Sequence, residues 1–174
     1  MVFYKKINLF LATVLILFSS FIIFNKEKKK PTLFFIGDST VKNGRGDGSG
    51  NMWGWGDLMA PLFDTTKIRI ENHALGGTSS RTFLTKGLWD KVLLKIQKGD
   101  YIIMQFGHND SSPLDDTSRA RGTIKGVGDS AKQIYNPIAK QQEVVHTYGW
   151  YLTKFTNDAK AKGAIILGVV NVVG

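Results

Sequence analysis

Ser39 stands in Gly37-Asp38-Ser39-Thr40, directly after the apolar run Thr32-Leu33-Phe34-Phe35-Ile36. A serine hydroxyl is a poor nucleophile at neutral pH. It needs a base to take its proton and donors to hold the negative oxygen that forms when it attacks a carbonyl. Two later segments offer such donors. Gly77, in Gly76-Gly77, has no Cβ, so its N–H can approach a bound group closely. Asn109, in Gly107-His108-Asn109-Asp110, carries an amide that donates two hydrogen bonds. With the N–H of Ser39 itself, these make three donors from three successive segments, which suits an oxyanion hole.

Taken singly, each motif has a plainer reading. Gly, Asp and Ser all favour turns, Gly-Gly is a turn in its own right, and a lone Asn often closes on its own backbone. Their order sets them apart, since each follows a strand-like run. No base stands out. The only histidines are His73, His108 and His146, and His146 lies in an apolar periodic segment where a structural role is the simpler reading. The glycine-rich stretch 44–50 contains neither a phosphate-cradling Gly-Lys-Ser/Thr nor a Gly-x-Gly-x-x-Gly. It reads as one wall of a cleft. Asp115, Asp116 and Asp129 lack calcium-ligand spacing. The chemistry outlined for Ser39 requires no metal or cofactor.

Elements capable of positioning these residues alternate along the chain. Leu33–Ile36, Lys67–Glu71, Tyr101–Phe106 and Ala164–Val170 read as short buried strands. Helical spacing appears over Trp53–Phe63, Leu88–Gln97 and Gln142–Lys162, with Gly99 and Gly163 as stops. Apolar strands alternating with helices predict a parallel sheet covered on both faces. In such sheets ligands bind beyond the carboxyl ends of the strands, where Ser39 and Asn109 fall. The segment Ser111–Pro137 has no clear period and reads as a long loop. The pattern stops after the fourth strand, and the reading expects an α/β domain cut short there.

Composition narrows the class. At 43% hydrophobic and 21% charged residues the chain has a globular balance, which excludes a disordered one. No cysteine is present, so disulfide and thiolate chemistry are excluded. The net charge is +9, of which +5 falls in the first 30 residues. That excess flanks an apolar segment and does not interleave with aromatics, which argues against nucleic-acid binding. Residues 7–24 form an uncharged run between Lys5-Lys6 and the lysines at 26 and 28–30. This is the pattern of a signal peptide or an uncleaved signal-anchor. The expected division is therefore residues 1–30 as leader or membrane tether and 31–174 as an exported domain.

The three segments around Ser39, Gly77 and Asn109 together resemble the first sequence blocks of the SGNH, or GDSL-type, hydrolases. The residues that carry the likeness are Phe35 to Thr40, Asn72 to Arg81 and Gln105 to Asp110. Thr40 after the serine, Trp53-Gly54-Trp55-Gly56, and His108 before Asn109 resemble the rhamnogalacturonan acetylesterases within that superfamily. The resemblance implies a three-layer α/β/α, flavodoxin-like fold and removal of acetyl groups from a pectic polysaccharide. It implies Ser39 as nucleophile with Gly77 and Asn109 completing the oxyanion hole, and Asp38, Thr40, His108 and Trp53 at the substrate. It also implies a base and its orienting acid from a late Asp-x-x-His, a pattern that these 174 residues do not contain. A nucleophile without its base retains only residual catalysis. Two alternatives stay open: a lipid or thioester hydrolase of the same superfamily, and a non-catalytic remnant that binds glycan.

Overall fold

The computed structural model describes residues 29–171, and side chains through residue 168. Four strands form a parallel sheet: β1 (Thr32–Gly37), β2 (Arg69–Asn72), β3 (Tyr101–Phe106) and, last in the chain, β6 (Ile165–Asn171). Their spatial order is β2-β1-β3-β6. The four predicted strands are thus present, with ends shifted by a residue or two.

Period-two alternation divides the core between the faces. Phe34 and Ile36 of β1 join Ile102, Met104 and Phe106 of β3 on one face. They pack there against Phe83, Trp89, Val92, Leu152 and Phe155. Leu33 and Phe35 point to the opposite face, with Val41, Ala74, Trp55, Met59 and Phe63. Three helices cover the first face: α1 (Ser80–Thr85), α2 (Leu88–Leu93) and α3 (Tyr148–Ala161). Trp89 is fully buried among them, and its indole N–H donates to Asp158 Oδ2 at 2.9 Å.

The second face is covered differently from expectation. Residues 53–63 do not form an α-helix. They form two short 3₁₀ turns, Trp55–Leu58 and Ala60–Leu62. Their backbone is bonded elsewhere: Trp55 N donates to Thr40 O and Gly56 N to Val41 O, both at 3.0 Å. Those bonds to the segment after β1 replace the i→i−4 ladder, and Pro61 lacks an N–H to continue one. The apolar spacing is still used, since Trp55 and Met59 face the sheet.

Two further expectations are corrected. The segment Gln142–Lys162 is not one helix. β5 (Gln141–His146) pairs antiparallel with β4 (Ala131–Asn136), so the supposed loop Ser111–Pro137 contains a strand of a hairpin. Val145 is buried and Val144 exposed, a strand alternation. Thr147 then starts α3, its hydroxyl accepting from Trp150 N at 3.1 Å. His146 accordingly ends a strand and does not lie in the helix. The helix expected over Leu88–Gln97 is shorter, ending at Leu93. α1 carries too little apolar spacing to be legible in the sequence, with Phe83 and Leu84 as its large apolar residues. It is set by a reciprocal cap in which Ser79 Oγ accepts from Thr82 N and Thr82 Oγ1 accepts from Ser79 N.

Among the described residues no helix is long and apolar enough to cross a membrane. The leader expected at 7–24 lies outside the described residues.

Candidate active site

The chain leaves β1 for β2 on one side and returns to β3 on the other. The carboxyl ends of β1 and β3 therefore flank the point where strand order reverses, and a crevice opens there. Gly37 ends β1 at that point. A Cβ on it would lie 2.3 Å from Gln105 O and 2.5 Å from Val41 Cγ2, so only glycine lets the chain turn against β3 here. Asp38 follows, fully buried. Its Oδ1 accepts from the Thr40 N–H and hydroxyl, both at 2.8 Å. That turn leaves Ser39 half-buried at the crevice.

A cavity of about 530 Å³ occupies the crevice. Ser39, Gly77, His108 and Asn109 line it, with Asn43, Gly44, Gly76, Arg119 and Arg121. Three strand ends thus converge on one space. Among the described residues, neither the Ser39 N–H nor the Gly77 N–H donates to any group. Gly77 has φ +77°, a left-handed conformation that glycine adopts without strain. Asn109 is buried, and its amide donates to Thr78 O at 2.7 Å. One of its two amide hydrogens is used in that bond, which fixes the side chain and leaves the other.

The remaining sequence-predicted residues fall outside the cavity lining. Asp38 and Thr40 bond to each other and shape the turn that carries Ser39. Trp53 is exposed and lies against Gly48, where a Cβ would meet its ring at 2.2 Å. Trp55 packs edge-on against Phe35, and its indole N–H donates to Gln105 Oε1. It belongs to the core.

Several residues were not singled out in the sequence. Asp110 is buried behind Asn109 and accepts from Ser80 N, Ser80 Oγ and Gly107 N. Burial drives its carboxyl up to about 6, assisted by the nearby Asp38 charge and opposed by those hydrogen bonds. Asp57 links the 44–50 loop to β2: its Oδ2 accepts from Asn43 N and Gly54 N, its Oδ1 from Asn72 Nδ2. Arg81 is fully buried and forms a two-pronged pair with Glu143, at 2.7 and 2.6 Å. Its Nη1 also donates to Leu114 O and Gly122 O. One guanidinium thereby binds the 111–122 loop and the β4–β5 hairpin to α1. Burial raises Glu143, but the bonds from Arg81 and Asn136 bring it net below the usual carboxylate range. The only available signal was Arg81 beside the double-glycine block.

The histidines separate into three environments. His73 Nε2 is 2.8 Å from Glu71 Oε2. His146 stacks on Trp150 at 3.8 Å between ring centroids. Glu143 stands three residues before His146, in the spacing of an acid–base pair, but is held by Arg81. His108 alone lines the cavity. Among the described residues none accepts a hydrogen bond from the Ser39 hydroxyl, and no group of three His, Cys, Asp or Glu could hold a metal ion.

A parallel sheet with its candidate chemistry beyond the carboxyl ends of the strands defines a doubly wound α/β protein. The GDSL-like Lipase/Acylhydrolase family model matches residues 33–161, and the chain belongs to that family. It is 32% identical over 137 residues to a rhamnogalacturonan acetylesterase of Emericella nidulans, covering 78% of this chain and 50% of that one. It is 33% identical over 137 residues to the rhamnogalacturonan acetylesterase RhgT of Bacillus subtilis, covering 79% and 47%. The crystal structure of protein YxiM from Bacillus subtilis matches 82% of this chain and 33% of its own, with a TM-score of 0.58 at 23% identity, which supports the fold. The chain spans about half the length of the rhamnogalacturonan acetylesterases it matches.

Proposed function

We propose that this chain carries the nucleophile and oxyanion machinery of a serine acetylesterase acting on acetylated pectic polysaccharide. The observation that carries the reading is the convergence of Ser39, Gly77 and Asn109 on one cavity, with the Ser39 and Gly77 N–H groups free of other acceptors among the described residues. Relatives named rhamnogalacturonan acetylesterases supply the substrate class.

In this mechanism Ser39 Oγ attacks the acetyl carbonyl and gives up its proton to a base. The carbonyl electrons move onto oxygen, which accepts from the Ser39 and Gly77 N–H groups and the remaining Asn109 amide hydrogen. Collapse of that intermediate breaks the ester bond, and the sugar oxygen leaves with a proton as a hydroxyl. Water then attacks the acetyl-serine, releasing acetate and restoring Ser39. Asp110 supports the hole indirectly, holding the Gly107–Asp110 turn against α1. By resemblance the base belongs to an Asp-x-x-His, and the described residues offer only His108 at the cavity.

The test is acetate release from acetylated rhamnogalacturonan by the purified chain. The expected result is a weak rate that falls to background in Ser39→Ala and by about 10²-fold or more in Asn109→Ala. A rate unchanged in Ser39→Ala would sink the reading. Export belongs to the same proposal, supported by the uncharged run 7–24 between lysines and by a polymeric substrate that does not enter cells. Fractionation of cells expressing the whole chain checks it. Recovery only from the cytoplasm would count against export.

A further inference from the structure

The lining of the cavity carries charge of one sign. Arg119 and Arg121 both face it, and among the described residues no carboxylate lines it. A second cavity of about 370 Å³ shares Gly76, Gly77 and both arginines with the first, and adds Lys86, Thr82, Ser118 and Ile138. The two spaces thus form neighbouring parts of one groove with the arginines on the shared wall, and among the described residues no acid lines the second part either.

The loop that presents these arginines is built to hold them. Asp116 Oδ1 accepts from Ser118 N at 2.8 Å and Arg119 N at 3.0 Å, and Oδ2 accepts from Ala120 N at 3.0 Å. Ala120 is buried, with φ +44°. Arg121 donates to Gly77 O and to Ser112 Oγ, both at 3.2 Å. A Cβ placed on Gly77 would lie 3.5 Å from Arg119 Nη1, so this guanidinium borders the proposed oxyanion donor. Among the described residues neither arginine forms an ion pair. Burial, and then the neighbouring Arg119 charge, pull Arg121 below its ordinary value, although the more distant carboxylates of Asp116, Asp38 and Asp110 act in the opposite direction.

Two guanidinium groups of this kind suit a planar carboxylate, which they can grip through paired N–H bonds. We propose that Arg119 and Arg121 form a subsite for the carboxylate of an acidic sugar residue next to the acetylated one, so that the groove selects an acetyl ester on a polyanionic glycan over one on a neutral glycan. The inference rests on the acetylesterase reading for the position of the ester at Ser39. The arginine pair itself is independent of that reading. Arg119 is exposed and supplies recognition, whereas Arg121 also ties the loop to Gly77.

The experiment is calorimetric titration of the full chain with an acetylated, galacturonate-containing oligosaccharide and with the same oligosaccharide after methyl esterification of its carboxyl groups. The free-acid form should bind at least about tenfold more tightly, since a charge-assisted hydrogen bond contributes at least that much. The advantage should shrink as salt is raised. Arg119→Gln should bring the two ligands close to parity, and Arg119→Lys should keep part of the difference. Unfolding curves confirm that the variants are folded. Equal affinity of the wild type for both ligands, or a preference that persists undiminished in Arg119→Gln, overturns the proposal. Acetate release, followed in parallel with Ser39→Ala, separates the two readings. Ser39-dependent release without acid preference removes the subsite and keeps the esterase. Acid preference without release does the reverse.

Discussion

Asp110 shows how a single buried carboxyl couples the site to pH. Its ordinary value is 3.8, and burial holds it at about 6 in the folded chain. Between those values the native state keeps a proton that the unfolded chain has released. The native state binds more protons there, so stability falls as pH rises through the window. The contribution is complete below about 3.8 and lost above about 6, and amounts to about 3 kcal/mol. Asp110→Asn removes the titration. Urea unfolding of both proteins at a series of pH values from 4 to about 7 should show the wild type losing ground to the variant as pH rises. A constant difference would show that Asp110 does not titrate there. Arg81 makes a separate case at the same scale. It is fully buried, and Arg81→Met would strand Glu143 and two loop carbonyls. The expected cost is about 3–5 kcal/mol. Limited proteolysis should then cut first in the 111–122 loop or the hairpin, where the wild type resists.

At the scale of elements, what could be read from the sequence depended on whether local pattern or distant bonding decided the outcome. β1 and β3 are continuous apolar runs buried by both layers, and their identity is local. The serine and asparagine positions follow directly, because each stands just past such a run. The segment 53–63 carries helical spacing, yet its N–H groups are taken by Thr40 and Val41, some fifteen residues earlier. The hairpin was hidden for a related reason. β4 is exposed at alternate and even successive positions, so it shows little apolar signal, and the hairpin is held through Glu143 of β5 and Arg81, which pair 62 residues apart. Arg119 and Arg121 were equally silent, since only the fold of a loop without period brings them to Gly77. Asp57 offers a test of such distant bonding. Asp57→Ala removes acceptors for Asn43, Gly54 and Asn72 at once. We expect a loss of about 2–3 kcal/mol, with amide exchange accelerating mainly in residues 43–57. Uniform acceleration across the sheet would instead place Asp57 in the global core.

For the molecule as a whole, the two edges of the parallel sheet have different tasks. At the carboxyl edge the segments after β1, β2 and β3 carry Ser39, Gly77 and Asn109, and among the described residues hydrogen-bonding capacity is left open toward a cavity. At the amino edge capacity is closed. Asp100 is buried before β3, its Oδ1 accepting from Thr32 N and its Oδ2 from Gln97 N, both at 2.8 Å. It thus joins the start of β1 to the end of the α2 region, far along the strands from the serine. Ile165 N adds a bond to the Asp100 carbonyl at 2.8 Å, bringing β6 into the same tie. An open edge and a closed edge should respond differently to the loss of one side chain. Asp100→Ala leaves the buried Thr32 N–H and the part-buried Gln97 N–H without their acceptor, which costs about 1–3 kcal/mol and, for a chain of this size, about 3–10 °C in Tm. Ser39→Ala removes a hydroxyl that bonds nothing among the described residues, so its Tm should stay within about 2 °C of wild type. Ligand binding should show the opposite order. Asp100→Ala, measured below its own transition, should retain the affinity and acid preference of the wild type, because the carboxyl edge is built by bonds it does not touch. Arg119→Gln should change preference without moving Tm appreciably. A single set of variants carried through both calorimetric unfolding and titration therefore tests the division of labour directly. If Asp100→Ala lost ligand selectivity in proportion to its stability, the site would be a property of global rigidity and not of the edge that carries it.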